Sequence, residues 1–347
     1  MTSATYHTPP AILVVGHGTR DVKGVEEFYQ LAAHLQRTFP ERLCATGFLE
    51  FARPTISEGL DELLARGART ITAVPGMLMA AGHAKNDIPS ELNEYMAAHP
   101  GVSITYGVEL GLHAKMLRAA AERIAQAEVR FGPGYERKET LLMVVGRGAS
   151  DSDANSNIGK ITRMLWEGMG FGWAETCYSG VTYPLVPDGL AMAHRLGFRR
   201  VIVFPYFLFT GRLVERIYQA ADAYQAAHPE VQVVKAPYLN DHPLVLEAFL
   251  DRLREAEEGT GVMNCQLCQY REQIIGYEAR RGQAQFGHHL HVRGIGTDGD
   301  DHHHHHGHDH HHHDHGHGHD HHHNPSPLAV KAPADPTRLS GWAVVKE

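Results

Sequence analysis

Ile12-Leu13-Val14-Val15-Gly16-His17-Gly18 decides the fold. A short, uninterrupted apolar run that ends at glycine reads as a strand buried on both faces and running into a loop. Working outward, residues 22–39 carry Val25, Phe28, Leu31, Ala32 and Leu35 at helical spacing. Residues 44–50 read as a second strand. Residues 55–66 read as a helix, with Ile56, Leu60, Leu63 and Leu64 on one side. Residues 70–74 form a third strand closed by Pro75-Gly76. Ile88-Pro89 opens another helix, because proline fits the first helical turn. Residues 102–106 read as a fourth strand and 110–127 as a helix. Strand–helix alternation at this spacing predicts an α/β fold, an open parallel sheet with helices on both faces.

The pattern then restarts. Leu142-Met143-Val144-Val145-Gly146-Arg147-Gly148 echoes the opening stretch at an offset of 130 residues. At that offset Arg53-Pro54 meets Tyr183-Pro184 and Pro75 meets Pro205. At 129, His99-Pro100 meets His228-Pro229, and Leu110 and His113 meet Leu239 and His242. The regularity predicts two similar open parallel-sheet domains from an internal duplication, 11–130 and 140–256, flanking a cleft and joined by a linker over 131–140. Residues 257–293 form a cysteine-pair segment. Residues 294–347 are a His-rich tail whose composition cannot bury apolar surface and predicts disorder; Trp342 to Val345 is a small apolar end that can dock back.

Composition narrows the function. The chain has 347 residues, 43% of them hydrophobic, which is ample for two cores. Its net charge of −8 disfavours a general nucleic-acid binder. No apolar run is long enough to span a membrane, and the N-terminus lacks the basic-then-apolar pattern of a secretory signal. Four cysteines do not make a disulfide scaffold, so a reducing, cytoplasmic setting is expected.

Ligands of parallel α/β sheets bind outside the carboxyl ends of the strands. His17 follows the first strand, Glu50 ends the second, and His83 lies in the loop after the third. Two imidazoles and a carboxylate suit a borderline divalent ion such as Co²⁺, Ni²⁺ or Fe²⁺, and they also accept protons. At the offset of 130 these positions become Arg147, Gly180 and Leu213, so the first half reads as the chemical one. The same residues are also compatible with ordinary polar loop positions. Gly16-His17-Gly18-Thr19 is neither a dinucleotide fingerprint nor a Walker loop, and no Gly-x-Ser-x-Gly elbow occurs. Cys44 and Cys177 read as structural, and His34 and His194 as packing or surface residues.

Three stretches together carry a resemblance: Val14-Val15-Gly16-His17-Gly18-Thr19-Arg20, Phe48-Leu49-Glu50-Phe51-Ala52-Arg53-Pro54 and Ala81-Gly82-His83-Ala84-Lys85-Asn86-Asp87-Ile88-Pro89. Over about residues 11–256 the chain resembles the sirohydrochlorin cobaltochelatases, ATP-independent class II chelatases with relatives that insert nickel or iron. The resemblance implies a tetrapyrrole in the cleft between two like domains and no nucleotide. It implies His17 and His83 as metal-presenting residues and Glu50 as a metal ligand or base. Sirohydrochlorin carries eight carboxylates, so Arg20, Arg53, Lys85, Arg147 and Arg212 are expected along the rim. Short members pair as one-domain homodimers; here one chain supplies both halves, and further homodimerisation stays open.

Met263-Asn264-Cys265-Gln266-Leu267-Cys268 resembles the Met-x-Cys-x-x-Cys motif of long members, which implies an iron–sulfur cluster held by Cys265 and Cys268. Spacing alone fits a thiol pair or half a zinc site equally well. Of the 28 histidines, 16 fall between His302 and His323, a tract suited to storing cobalt or nickel or delivering it to His17 and His83, or to incidental metal binding. A metal-storage or metallochaperone protein is therefore the rival to a chelatase.

Overall fold

Every residue of the opening strand is buried, as expected of a strand covered on both faces. The computed structural model describes residues 9–132 and 134–263. Within them are two four-stranded parallel sheets. The first contains β1 (Ala11–Gly16), β2 (Cys44–Phe48), β3 (Thr70–Pro75) and β4 (Ser103–Tyr106), in the order β2-β1-β3-β4. Its helices are α1 (Val22–Thr38), α2 (Ile56–Ala65), α3 (Ile88–Ala98) and α4 (Ala114–Phe131). The second contains β5 (Thr140–Gly146), β6 (Trp173–Tyr178), β7 (Arg200–Pro205) and β8 (Gln232–Lys235), in the order β6-β5-β7-β8. Its helices are α5 (Ser152–Met169), α6 (Val186–Arg195), α7 (Arg212–Ala227) and α8 (Pro243–Glu258).

Alternation along the strands sorts the layers. Leu13 and Val15 of β1 face α2 and α3, packing with Leu60, Leu63, Ile88 and Leu92. Leu141, Met143 and Val145 of β5 pack with Leu190 of α6 and Ile217 of α7. The opposite faces, with Ile12 and Val14 on one sheet and Leu142 and Val144 on the other, share a single core with α1, α4, α5 and α8. The two halves are thus joined by buried apolar surface. Each large side chain removed from water in that layer contributes about 1.5–3 kcal/mol before chain entropy is set against it.

Local chemistry sets the element ends. Asp21 and Asp151, equivalent at the offset of 130, cap α1 and α5 by accepting from backbone N–H groups. Thr55 and Glu58 form a reciprocal capping box on α2. The helix expected from residue 110 begins at Ala114, because the Leu110 and Gly111 N–H groups bond to the carbonyls of Met77 and Leu78. It runs to Phe131 and stops where Gly132 adopts a φ of 80°. The final helix continues to Glu258, two residues beyond the sequence-derived limit of 256. No helix among the described residues is long and apolar enough to cross a membrane.

Candidate functional site

In each sheet the chain reverses its direction of progression between the first and third strands. This topological switch opens a crevice at their carboxyl ends. His17 leaves β1 there and His83 follows β3, so the strand-end rule brings both to one place. Glu50 arrives by a turn: β2 stops at Phe48, and the Leu49 and Glu50 N–H groups donate to the Gly16 and His17 carbonyls at 2.9 and 3.0 Å. Gly18 permits that approach. It has a φ of 93°, and a Cβ there would lie 1.7 Å from the Glu50 carbonyl oxygen. Gly148 repeats the arrangement against Gly180, with a φ of 83°. Phe51 and Val181, equivalent in the two halves, both adopt positive φ, 64° and 68°. Such backbone is costly for these residue types and persists only where surrounding contacts hold it.

The three predicted residues converge. Nε2 of His17 lies 3.1 Å from Oε1 of Glu50. The His17 and His83 rings meet edge to face at 4.5 Å. One donor atom from each of His17, Glu50 and His83 falls within 4.8 Å of the others; His17 and His83 line the crevice, and Glu50 stands behind them, 9% exposed. Bonds to imidazole nitrogen are about 2.0–2.1 Å for an ion such as Zn²⁺, so modest rotation of the side chains closes the set on one ion.

Neighbours orient both imidazoles. Nδ1 of His17 faces the Gly18 carbonyl at 3.0 Å, which places its proton there and turns Nε2 toward Glu50. Nδ1 of His83 lies 2.8 Å from Oδ2 of Asp87, a fully buried carboxylate that also accepts from Asn86 Nδ2 at 2.9 Å. A carboxylate behind a histidine fixes its tautomer and raises its basicity as a ligand. Asp87 was missed in the sequence. It stands four residues after His83, in a π-helical turn (His83–Asp87) that the sequence presents as a loop.

A cavity of about 590 Å³ spreads from these residues between the two halves, within the range for small-molecule sites. Phe51, Met77, Leu78, Phe207 and Phe209 give it apolar walls. Arg20, Arg147 and Arg212 lie on its border, and Arg20 also stands 5.0 Å over the Phe51 ring. Arg147 opens to the cavity, yet the surrounding protein lowers its guanidinium from its ordinary value while the Glu50 charge opposes that shift. Arg147, at the position of His17, thus answers Glu50 electrostatically across the cleft.

Two expected rim residues stand elsewhere. Lys85 is 3% exposed and forms ion pairs of 2.9 Å with both Asp151 and Asp153 at the start of α5. Burial alone would lower its ammonium; hydrogen bonds and charge from the two carboxylates outweigh that and leave it raised. It fastens the first half to the second instead of meeting a substrate. Arg53 is largely exposed, pairs with Glu58 at 3.1 Å, and does not line the cavity.

Cys265 and Cys268, the expected holders of an iron–sulfur cluster, lie outside the described residues, as does the tract His302–His323. The described cysteines do not fit as further ligands. Burial pushes the Cys44 thiol up to about 11 and the Cys177 thiol up to about 12, and each is a free thiol within a strand.

Comparison with known proteins agrees with this architecture. The CbiX family model matches twice, over residues 11–127 and 141–256. A sirohydrochlorin cobaltochelatase of Priestia megaterium is 38% identical over 78% of this chain and 87% of its own length. A sirohydrochlorin ferrochelatase of the same organism is 31% identical over 67% of this chain and 85% of its own. The structure of SirB from Bacillus subtilis with Fe³⁺ superposes with a TM-score of 0.64 at 30% identity, covering 73% of this chain and 98% of that one. With the family model matched once in each half and such relatives aligned along most of their length, the chain belongs to the CbiX family.

Proposed function

We propose that this protein is a sirohydrochlorin chelatase that inserts Co²⁺ without ATP, supplying cobalt-sirohydrochlorin for cobalamin synthesis. The observation that carries the reading is the convergence of His17, Glu50 and His83 at one end of an apolar cavity bordered by arginines. The macrocycle faces match Phe51, Phe207 and Phe209, while its peripheral carboxylates match Arg20, Arg147 and Arg212.

The reaction exchanges two pyrrolic protons for one divalent ion. His17 and His83 hold the incoming ion through neutral imidazole nitrogens, a donor set that releases it to four ring nitrogens more readily than thiolates would. Glu50 shares the ion and, as the ring nitrogens take it over, accepts the two pyrrolic protons one after the other, handing on the first before the second arrives. His17, 3.1 Å away, is placed to take each proton on toward solvent. Asp87 keeps His83 in the tautomer that presents Nε2. No step is routed through Cys265 and Cys268; a cluster there remains part of the proposal only through the motif that they share with long family members.

The division of labour follows the duplication. Residues 11–130 present the metal, and 140–256 supply the opposite wall with Arg147 and Arg212. Residues 257–293 and 294–347 serve metal supply or redox sensing outside the reaction, with His302–His323 as the reservoir. Iron is the second reading of the metal, favoured by the 31% identical ferrochelatase; imidazole–carboxylate sites accept both ions.

The test is an anaerobic absorbance assay with sirohydrochlorin and Co²⁺, Ni²⁺ or Fe²⁺ in separate cuvettes, without ATP. The free-base spectrum should convert to the metallated one fastest with Co²⁺, and His17→Ala and His83→Ala should each abolish the acceleration. Faster conversion with Fe²⁺ selects the iron reading. No acceleration above the spontaneous rate with any ion, from folded protein, refutes chelatase action.

A further inference from the structure

Among the described residues, a second grouping has the donor set of the cleft. His194 lies in the last turn of α6, His228 caps the end of α7, and Glu230 follows in the turn into β8. Nδ1 of His194 and Nδ1 of His228 lie 3.9 and 3.3 Å from the same oxygen, Oε1 of Glu230. The donor atoms all fall within 4.8 Å of one another. The two rings stand 4.6 Å apart.

The frame behind these side chains is fixed. Tyr224 lies against the His228 ring at 4.5 Å. Gln225 donates to the His228 and Val231 carbonyls at 3.3 and 2.6 Å, and its Oε1 accepts from Val233 N at 2.7 Å. Gln225 therefore pins both ends of the turn that carries Glu230. Side-chain exposures of 48%, 35% and 58% leave room for an ion to keep water in its remaining positions.

The duplication again gives a comparison. At the offset of 130 His194 corresponds to Leu64; at 129 His228 corresponds to His99 and Glu230 to Gly101. The first half keeps the stacked pair, with Tyr95 and His99 at 4.0 Å, but has neither other donor. The tyrosine–histidine pair is thus common to both halves, and the two further donors stand in the second half alone. The location also separates the grouping from the cleft. α6 and α7 lead directly into the amino ends of β7 and β8, the edge of the sheet opposite to that where His17 and His83 stand.

We infer that His194, His228 and Glu230 form a second site for a borderline divalent cation such as Zn²⁺, Ni²⁺ or Co²⁺, which clips the end of α6 to the turn between α7 and β8. Two imidazoles and one carboxylate suit these ions and not Mg²⁺ or Ca²⁺, which take oxygen ligands. This assignment does not rest on the tetrapyrrole reaction and stands or falls without it.

The test uses the full chain, with free Ni²⁺ held by a chelator buffer and thermal unfolding as the readout. An ion that binds only the folded form raises the midpoint, by roughly 5–10 °C at a free concentration one hundred times its Kd. His83→Ala is the background, since it disables the cleft set; the His302–His323 tract is present in every variant and cancels. The rise seen in this background should vanish on adding His194→Ala or His228→Ala. The metal-free midpoints of the variants are the control for folding. Crystals soaked in Zn²⁺ should show an anomalous peak between the two Nδ1 atoms. A nickel-dependent rise that survives both added substitutions, or a zinc peak in the cleft with none at His194, overturns the assignment.

Discussion

Replacing Lys85 by methionine tests how the two halves are joined. Methionine keeps much of the volume and removes the charge, leaving the carboxylates of Asp151 and Asp153 at 3% and 4% side-chain exposure without their shared cation. Breaking a buried ion pair from one side costs about 3–5 kcal/mol, most of it the burden of the uncompensated charge. For a folded unit of this size each kcal/mol moves the midpoint by about 2–4 °C, so thermal unfolding at pH 7 should drop by roughly 6–20 °C. The pH dependence supplies the sign. In the unaltered protein the raised Lys85 contributes stability that is complete below the ordinary lysine value and is lost only as pH climbs past it. Adding Asp151→Asn and Asp153→Asn to Lys85→Met removes the stranded charges and should restore most of the loss. A midpoint within 2 °C of the parent at pH 7 would falsify the picture of Lys85 as a buried fastener and return it to the cleft rim.

Asp87→Asn should weaken metal binding in the cleft by about 10–100-fold, read as a rise in the Co²⁺ concentration for half-maximal chelation with the thermal midpoint much less affected. Gly18→Ala forces a side chain onto a backbone with φ of 93° and a Cβ onto the Glu50 carbonyl. The dihedral alone costs about 1–3 kcal/mol, so the midpoint should fall by several degrees and chelation with it; an unchanged midpoint contradicts the close approach. On the proposed reading Arg147→Gln should raise KM for the tetrapyrrole and flatten its dependence on salt, because a cavity-lining positive charge is lost. An unaltered salt profile would place the substrate elsewhere.

Much of this fold is readable because its strands are short apolar runs buried on both faces, and because the sequence repeats itself at a nearly constant offset. The strand-end rule also selects His17, Glu50 and His83: His17 and His83 follow the two strands that flank the topological switch, and Glu50 follows the neighbouring β2. What escaped depends on contacts remote in sequence or on a local conformation that the pattern does not declare. Lys85 reads as a rim cation because its carboxylate partners lie 66 and 68 residues away in the other half. Asp87 has helical spacing from His83, but residues 81–87 carry glycine and polar residues that read as loop. Spacing has no meaning until the turn is seen to be π-helical. His194 reads as a surface or packing residue because nothing near it in sequence points to His228.

The two halves share a scaffold and differ in what stands on it. On the proposed reading a tetrapyrrole between the like halves meets two equivalent loops, after β1 and β5, and only one ion enters the ring. A second ligand set on the opposite wall would hold an ion with no route into a ring already filled, and would add charge repulsion across the cleft. Arg147 in place of the imidazole puts a permanent positive charge at that wall and a side chain incapable of binding metal. Gly180 and Leu213 remove the other two donors, and Leu213 lines the cavity with apolar surface. Val181 shares the positive φ of Phe51 although Gly180 stands where the first half has Glu50, so the loop geometry does not depend on the carboxylate beside it. The two halves therefore differ in the side chains that face the cleft, and one backbone design presents ligands in the first half and a wall in the second.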